Sequence, residues 1–311
     1  MKKKKLYSAF IMLLITAIAL TTASYAWFTQ NSTVSMAGLN VNVTAADGIQ
    51  ISMDAATWKA ALTVEDIKGA AYTGHTNQVP ESLVPVSTAG TVANGKLLMY
   101  KGSIGANPTT GAQILSAEAT VEQAGATGDF IAFDVFLLTS AQTQLYLTQD
   151  AGVTSNASKG LENAARLAFL IEGNVANGAT ADAIALTGAT SAIIWEPNNN
   201  AHTTSGIANA ANNYGISIDA TSVVANYQGV NAIIPVAANI PLNSTDTTYF
   251  QTVTPTIKTG TAPTGTSTLF TINAGITKVR IYAWVEGQDV DCENDASGTD
   301  VTFNIKFTKV A

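Results

Sequence analysis

Apolar residues recur at every second position in short runs along this chain, and that period constrains the fold more than any other feature. Between residues 130 and 139, Ile131, Phe133, Val135 and Leu137 share one face, while Ala132, Asp134, Phe136 and Leu138 share the other. Between 279 and 286, Val279, Ile281, Ala283 and Val285 alternate with Arg280, Tyr282, Trp284 and Glu286. Near the end, Phe303, Ile305 and Phe307 alternate with polar residues. Successive side chains of a strand point to opposite faces, so a period of two means strands with one face buried. Several such runs separated by polar turns predict an all-β chain, a jelly-roll-like β-sandwich with long loop insertions and one or two short helices.

The turns between these runs suggest which strands pair. Leu39, Val41 and Val43 alternate with Asn40, Asn42 and Thr44; Asp47-Gly48 follows, then Ile49, Ile51 and Met53. Asp-Gly between two alternating runs is the signal of a tight type I′ turn, so residues 38–53 are expected to form a hairpin. The same logic pairs 130–139 with Leu145-Tyr146-Leu147, and 279–286 with 302–308 as a hairpin closing the domain. From Asp54 to Lys68 the period changes: Asp54 is a candidate cap, and Trp58, Ala61 and Leu62 fall on one helical face. Residues 165–171 read as a strand with Arg166 outward or paired, with a helix from Leu161 as the alternative. Residues 173–268 are rich in Ala, Asn, Thr and Gly, with apolar islands that include Trp195. They read as a loop-rich insertion that buries its aromatics.

Composition narrows the function. Of 311 residues, 47% are hydrophobic, enough for a large core, but only 12% are charged, about half the usual share. Low charge removes the repulsion that keeps monomers apart, which suits chains that assemble into layers or fibres. The formal charge is −7, and Arg166 and Arg280 are the only arginines. No basic patch is available for nucleic acid. The single cysteine, Cys292, excludes an internal disulfide; it is a free thiol, an intermolecular link or a small buried side chain.

Catalytic motifs are absent: no His-Glu-x-x-His, no Gly-x-Ser-x-Gly elbow, no phosphate-cradling loop. Cys292 with His75 or His202 is a dyad that nothing local supports. The expectation is therefore a non-enzyme. One cluster stands out. Asp289, Asp291, Glu293 and Asp295 occupy every second position, and hard oxygen ligands spaced this way in a loop are a candidate Ca²⁺ site, though the pattern is not that of an EF-hand. The alternative is a solvated acidic hairpin tip that protects a sheet edge.

The N-terminus reads as an export signal. Lys2 to Lys5 precede an uncharged apolar run from Leu6 to Leu20, and Ser24 and Ala26 supply a small-x-small site. Cleavage after Ala26 is expected, with a retained membrane anchor as the alternative. The mature chain would begin at Trp27-Phe28 and carry a formal charge of −11. The full chain divides into the signal (1–26), an N-terminal segment (27–37) and a sandwich domain (38–311) containing the 173–268 insertion.

The junction Ser24-Tyr25-Ala26-Trp27-Phe28-Thr29 behind a lysine-led signal resembles the TasA/camelysin family of secreted Gram-positive proteins. The resemblance is specific over residues 1–44 and loose beyond. It implies a jelly roll and a role as an extracellular biofilm-matrix fibre subunit. It further implies that the freed N-terminal segment completes the sheet of a neighbouring copy by donor-strand exchange. Trp27, Phe28 and Val34 are the candidate polymerisation anchors, and the partners are other copies of the chain and other matrix or cell-surface components. Contact with a membrane would be made only through the signal before cleavage. Camelysin-like members have been classed as metallopeptidases, but no zinc motif is present here. A different class remains open: a secreted adhesin or carbohydrate-binding module using Tyr282 and Trp284 as exposed aromatics.

Overall fold

The computed structural model describes residues 34–35, 38–43, 48–70, 72, 74, 76–106, 113–148, 150–156, 159–179, 187–198, 202–208, 227–238, 240–241, 246–257, 269–292 and 299–309. The signal region, Trp27 and Phe28 lie outside them, as do Glu293 and Asp295. Among the described residues no helix is long and apolar enough to cross a membrane.

Two sheets pack face to face, as an all-β sandwich requires. The first runs Thr256–Ile257, Ile193–Glu196, Ala165–Val175, Gly275–Val285, Ile131–Thr139, Gln50–Ser52. The second runs Phe270–Ile272, Thr143–Leu147, Val301–Thr308, Gly38–Val43, Ala61–Leu62, with Gly152–Ser155 also paired to Val301–Thr308. The alternating residues meet between them. Phe133, Val135, Phe169, Ile281 and Ala283 from the first sheet join Phe303, Ile305 and Phe307 from the second in one buried cluster. Phe169 is central, with the rings of Phe270 and Phe307 at 5.9 and 5.7 Å and Trp195 stacked at 6.5 Å. Such offset and edge-on pairs add to what burial alone contributes.

The first sheet is covered on its outer face as well. A smaller sheet, Ile240–Pro241, Gln113–Thr120, Met99–Ala106, Val86–Ser87, supplies a third layer. Val86, Leu97 and Met99 pack there against Phe130, Ala132, Ala168, Leu170, Tyr282 and Trp284. Every residue of Gly275–Val285 is therefore buried, as expected for a strand covered on both faces.

Three expected hairpins are absent, all for one reason. Gly38–Val43 pairs in parallel with Val301–Thr308, whereas Gln50–Ser52 pairs with Ile131–Thr139 in the opposite sheet. Thr143–Leu147 leaves the sheet of Ile131–Thr139 for Phe270–Ile272 and Val301–Thr308. Gly275–Val285 and Val301–Thr308 likewise lie in different sheets. In each case the two strands lie in opposite sheets of the sandwich. Ile131–Thr139 and Thr143–Leu147, like Gly275–Val285 and Val301–Thr308, so bury apolar residues against each other in one cluster; a hairpin would set those faces side by side and leave both needing a cover. The tightest crossing, from Phe270–Ile272 to Gly275–Val285, turns at Gly275 with φ of 102°, where a Cβ would lie 2.2 Å from the Val175 carbonyl oxygen.

Two local expectations need smaller corrections. Asp54 caps a turn instead of a helix, accepting from the amides of Ala56 and Thr57 at 2.9 and 2.7 Å. Ala61–Leu62 is a short strand, and the helix is Val64–Gly69, opened by a Thr63–Asp66 capping box. At 161–175 both alternatives occur in series, a helical turn Leu161–Ala164 and then the strand Ala165–Val175. Within the insertion, Trp195 is fully buried, as its size demands.

Candidate functional site: two buried ion networks

The strand Ala165–Val175 places Arg166 on the outer face of the first sheet, opposite Trp284 in the ladder. Its side chain is 1% exposed. Nη2 lies 2.7 Å from Asp289 Oδ2 and 2.9 Å from Glu196 Oε1, while Nη1 donates to the carbonyls of Asn163 and Ala165. Asp291 sits beside this pair. Its Oδ1 accepts from the amide and hydroxyl of Thr203 at 3.0 and 2.6 Å. Its Oδ2 accepts from Asn163 Nδ2 at 3.2 Å and lies 3.1 Å from His202 Nδ1. Burial opposes a charge on His202, but the Asp291 bond and the Asp289 and Asp291 carboxylates outweigh it and raise the imidazole above its ordinary value. Close by, Glu286 is fully buried, accepting from Trp284 Nε1 at 3.0 Å and the Gln288 amide at 3.1 Å. Burial pushes its carboxyl up to about 7.

The second network surrounds Arg280. Nη1 donates to Asp134 Oδ1 and Nη2 to Glu122 Oε2, each at 2.8 Å. Lys278 Nζ is 3.3 Å from Asp134 Oδ2, and Lys96 Nζ is 2.9 Å from Glu122 Oε2. The Tyr72 hydroxyl donates to Asp134 and that of Tyr282 to Glu122. Burial pushes both carboxyls up, but Arg280 and the lysines more than reverse it and hold them below the ordinary range.

These contacts locate the residues singled out in the sequence. Asp289 and Asp291 come together, and with His202 they offer ligand atoms within 4.8 Å of one another. They are buried, so they are not a solvated hairpin tip. Their oxygens already serve Arg166, Thr203, Asn163, His202 and the Asp291 amide, so an ion would have to displace protein donors. Val34 lies in a two-residue antiparallel pair, opposite Leu83. Cys292 is buried in the main core. Tyr282 and Trp284 are fully buried, which corrects their reading as exposed sugar-stacking aromatics. The cause is the third layer, whose strands show too little alternation to be foreseen as a cover.

Arg166, Glu196 and His202 were not foreseen as partners of Asp289 and Asp291. The available signal was scarcity: a chain with two arginines and two histidines sets Arg166 and Arg280 inside apolar strands, where a charge requires a partner. Open grooves lie elsewhere on the surface. One, about 430 Å³, is lined by Met53, Asp54, Thr57, Lys59, Glu65 and Asp66. No protein-family model matches the chain, and neither a curated protein nor a solved structure is significantly similar to it.

Proposed function

We propose that this protein is a secreted structural subunit of an extracellular fibre or matrix, built on a jelly-roll type of sandwich and assembled head to tail by exchange of its N-terminal strand. The pairing of Gly38–Val43 carries the reading. This strand occupies an interior place in the second sheet, between Val301–Thr308 and Ala61–Leu62. It is parallel to Val301–Thr308 over six register pairs, from Gly38 opposite Thr302 to Val43 opposite Phe307. A parallel neighbour has no tight turn tying it to its partner. The same six-residue ladder forms equally well when the strand arrives from another copy. A contact of that kind is heterologous and does not close, so it propagates as a filament.

Gly38–Val43 and Gln50–Ser52 lie in different sheets, so no hairpin pairing between them holds Gly38–Val43 in its own domain. The donor segment therefore extends from Trp27 and Phe28 through Val34 to Val43. The low charge of the chain, its lysine-led leader and its resemblance over residues 1–44 to matrix-fibre subunits agree with this role. Electron microscopy of the mature protein with and without residues 27–43 tests it. Filaments are expected only from the intact chain; filaments that persist after the deletion overturn strand exchange.

A further inference from the structure

Five lysine–carboxylate ion pairs occur among the described residues, and one differs from the rest. In the pairs of Lys59, Lys96, Lys101 and Lys306 the lysine side chain is 43%, 47%, 39% and 25% exposed, so water solvates the ammonium. In the pair Lys278–Asp134 the side chains are 7% and 2% exposed. The two residues stand on adjacent antiparallel strands, with Asp134 opposite Arg280 and Phe136 opposite Lys278, so Lys278 reaches diagonally to Asp134 on the same face. Tyr72 and Phe136 pack edge to face at 5.3 Å beside them.

The surroundings of the Asp134 carboxyl suit acyl chemistry. Arg280 Nη1 donates to Oδ1 at 2.8 Å, and the Tyr72 hydroxyl donates to Oδ2. Fixed donors on both oxygens draw electron density from Cγ and stabilise charge that develops on Oδ1. A third carboxyl, that of Glu172, is near enough to interact electrostatically with both Lys278 and Asp134. The ladder shifts register between Ile171 and Gly173, and Gly173 is the partner of Lys278, so Glu172 is set beside Lys278 by the bulge. Glu172 is 2% exposed; its Oε2 accepts from the Ala189 amide at 3.1 Å, and its Oε1 has no hydrogen-bond partner among the described residues.

We propose that Lys278 and Asp134 condense to an intramolecular isopeptide bond, with Glu172 relaying the proton. At rest the pair is ionic. Reaction goes through the minor neutral form of the pair: against the pull of Arg280, which favours the carboxylate, the Lys278 ammonium gives one proton to Asp134 Oδ2, which leaves a neutral amine and a neutral acid. Nζ then attacks Cγ and forms the C–N bond, while Arg280 holds the oxyanion at Oδ1. A second proton passes from Nζ through Glu172 to Oδ2, the Cγ–Oδ2 bond breaks, and water leaves. Nothing is oxidised or reduced. The condensation removes two buried charges whose desolvation is costly, and Arg280 keeps Glu122 as its counter-ion. The product is a covalent tie between two central strands in a chain that has no disulfide.

Tryptic digestion of the denatured full-length protein, read by tandem mass spectrometry, tests the bond. The Asp134 and Lys278 peptides are expected as one branched species, uncut after Lys278 and about 18 Da, one water, lighter than the Asp134 peptide plus the Lys278 peptide left uncut at that lysine. Two separate peptides with cleavage after Lys278 overturn the proposal. Lys278→Arg keeps the charge but removes the amine nucleophile, so its peptides are expected apart; a linked species there also overturns it. Glu172→Gln, shown to be folded by circular dichroism, is expected to lose the link. Full linkage in that variant overturns the relay.

Discussion

Arg166 and Arg280, the only arginines in the chain, project from adjacent strands onto the same face of the central sheet, and each is the buried cation at the centre of its own ion network. Each network ties segments from elsewhere in the chain to that face. Arg166 draws in Glu196 from the insertion and Asp289 from the loop after Gly275–Val285. Arg280 draws in Glu122 and the carbonyl of Thr76. An isolated buried charge is costly, so each network fixes which loops can lie over the sheet as well as adding stability.

Removing either arginine should therefore cost far more than removing a surface cation. Arg166→Ala and Arg280→Ala each leave buried carboxylates uncompensated, a loss of about 3–5 kcal/mol. Lys306→Ala breaks only an exposed pair with Asp150 and should leave stability little changed. Urea unfolding of the three variants checks this; equal midpoints for all three would mean that the networks are not holding the layers together.

The sign of the pH dependence follows from Glu286. Its carboxyl is raised from 4.5 to about 7 because it is wholly buried. The folded protein thus keeps a proton that the unfolded chain releases. The contribution is whole below pH 4.5 and falls away as the pH climbs to about 7, by roughly 3 kcal/mol. His202, raised above 6.5, adds stability that is present below that value and lost above it. Asp134 and Glu122 are held low, so they change only below their ordinary values of 3.8 and 4.5 and do not mask the trend. The urea midpoint should decline from pH 4.5 to 7, and Glu286→Gln should flatten that decline. A wild-type midpoint that rises across this window would contradict the account.

Strands were legible in the sequence because side-chain period is a local property. Ile131, Phe133, Val135 and Leu137 mark the inner face of their strand wherever its partner lies. The partner is not local. A three-residue link, 140–142, serves a hairpin and a crossing between sheets equally well, and only the need to cover two apolar faces decides between them. The networks were half legible. Asp289 and Asp291 stood out by spacing, but Arg166 is 123 residues from Asp289 and His202 is 89 from Asp291. No periodicity links residues that far apart; only the scarcity of charge hinted that each buried cation must find an anion.

Calcium discriminates between the acidic loop as an ion site and the same loop as a counter-ion cluster. Asp289 binds Arg166 and the Asp291 amide, and Asp291 holds Thr203, Asn163 and His202. Binding Ca²⁺ would strip those donors away and set a divalent cation beside a guanidinium. The melting temperature of the purified protein should therefore stay unchanged at millimolar Ca²⁺. A concentration-dependent rise would mean that the ion stabilises the fold, and its loss in Asp289→Asn would assign the ion to this loop.

Strand replacement should be measurable without filaments. A chain beginning at residue 44 lacks Gly38–Val43, which leaves the backbone of Val301–Thr308 without its parallel partner. Part of that strand still pairs with Thr143–Leu147 and Gly152–Ser155, so the shortened protein should fold with a lowered melting temperature. A synthetic peptide of residues 27–43 should restore stability in proportion to its concentration, as any ligand selective for the folded state does. The same peptide carrying Val41→Pro loses an amide where the strand is paired on both sides, with Leu62 and with Ile305, and proline is not tolerated inside a sheet. It should have no effect. If the unmodified peptide also leaves the melting temperature unmoved, Gly38–Val43 is not replaceable in trans and strand exchange through it fails.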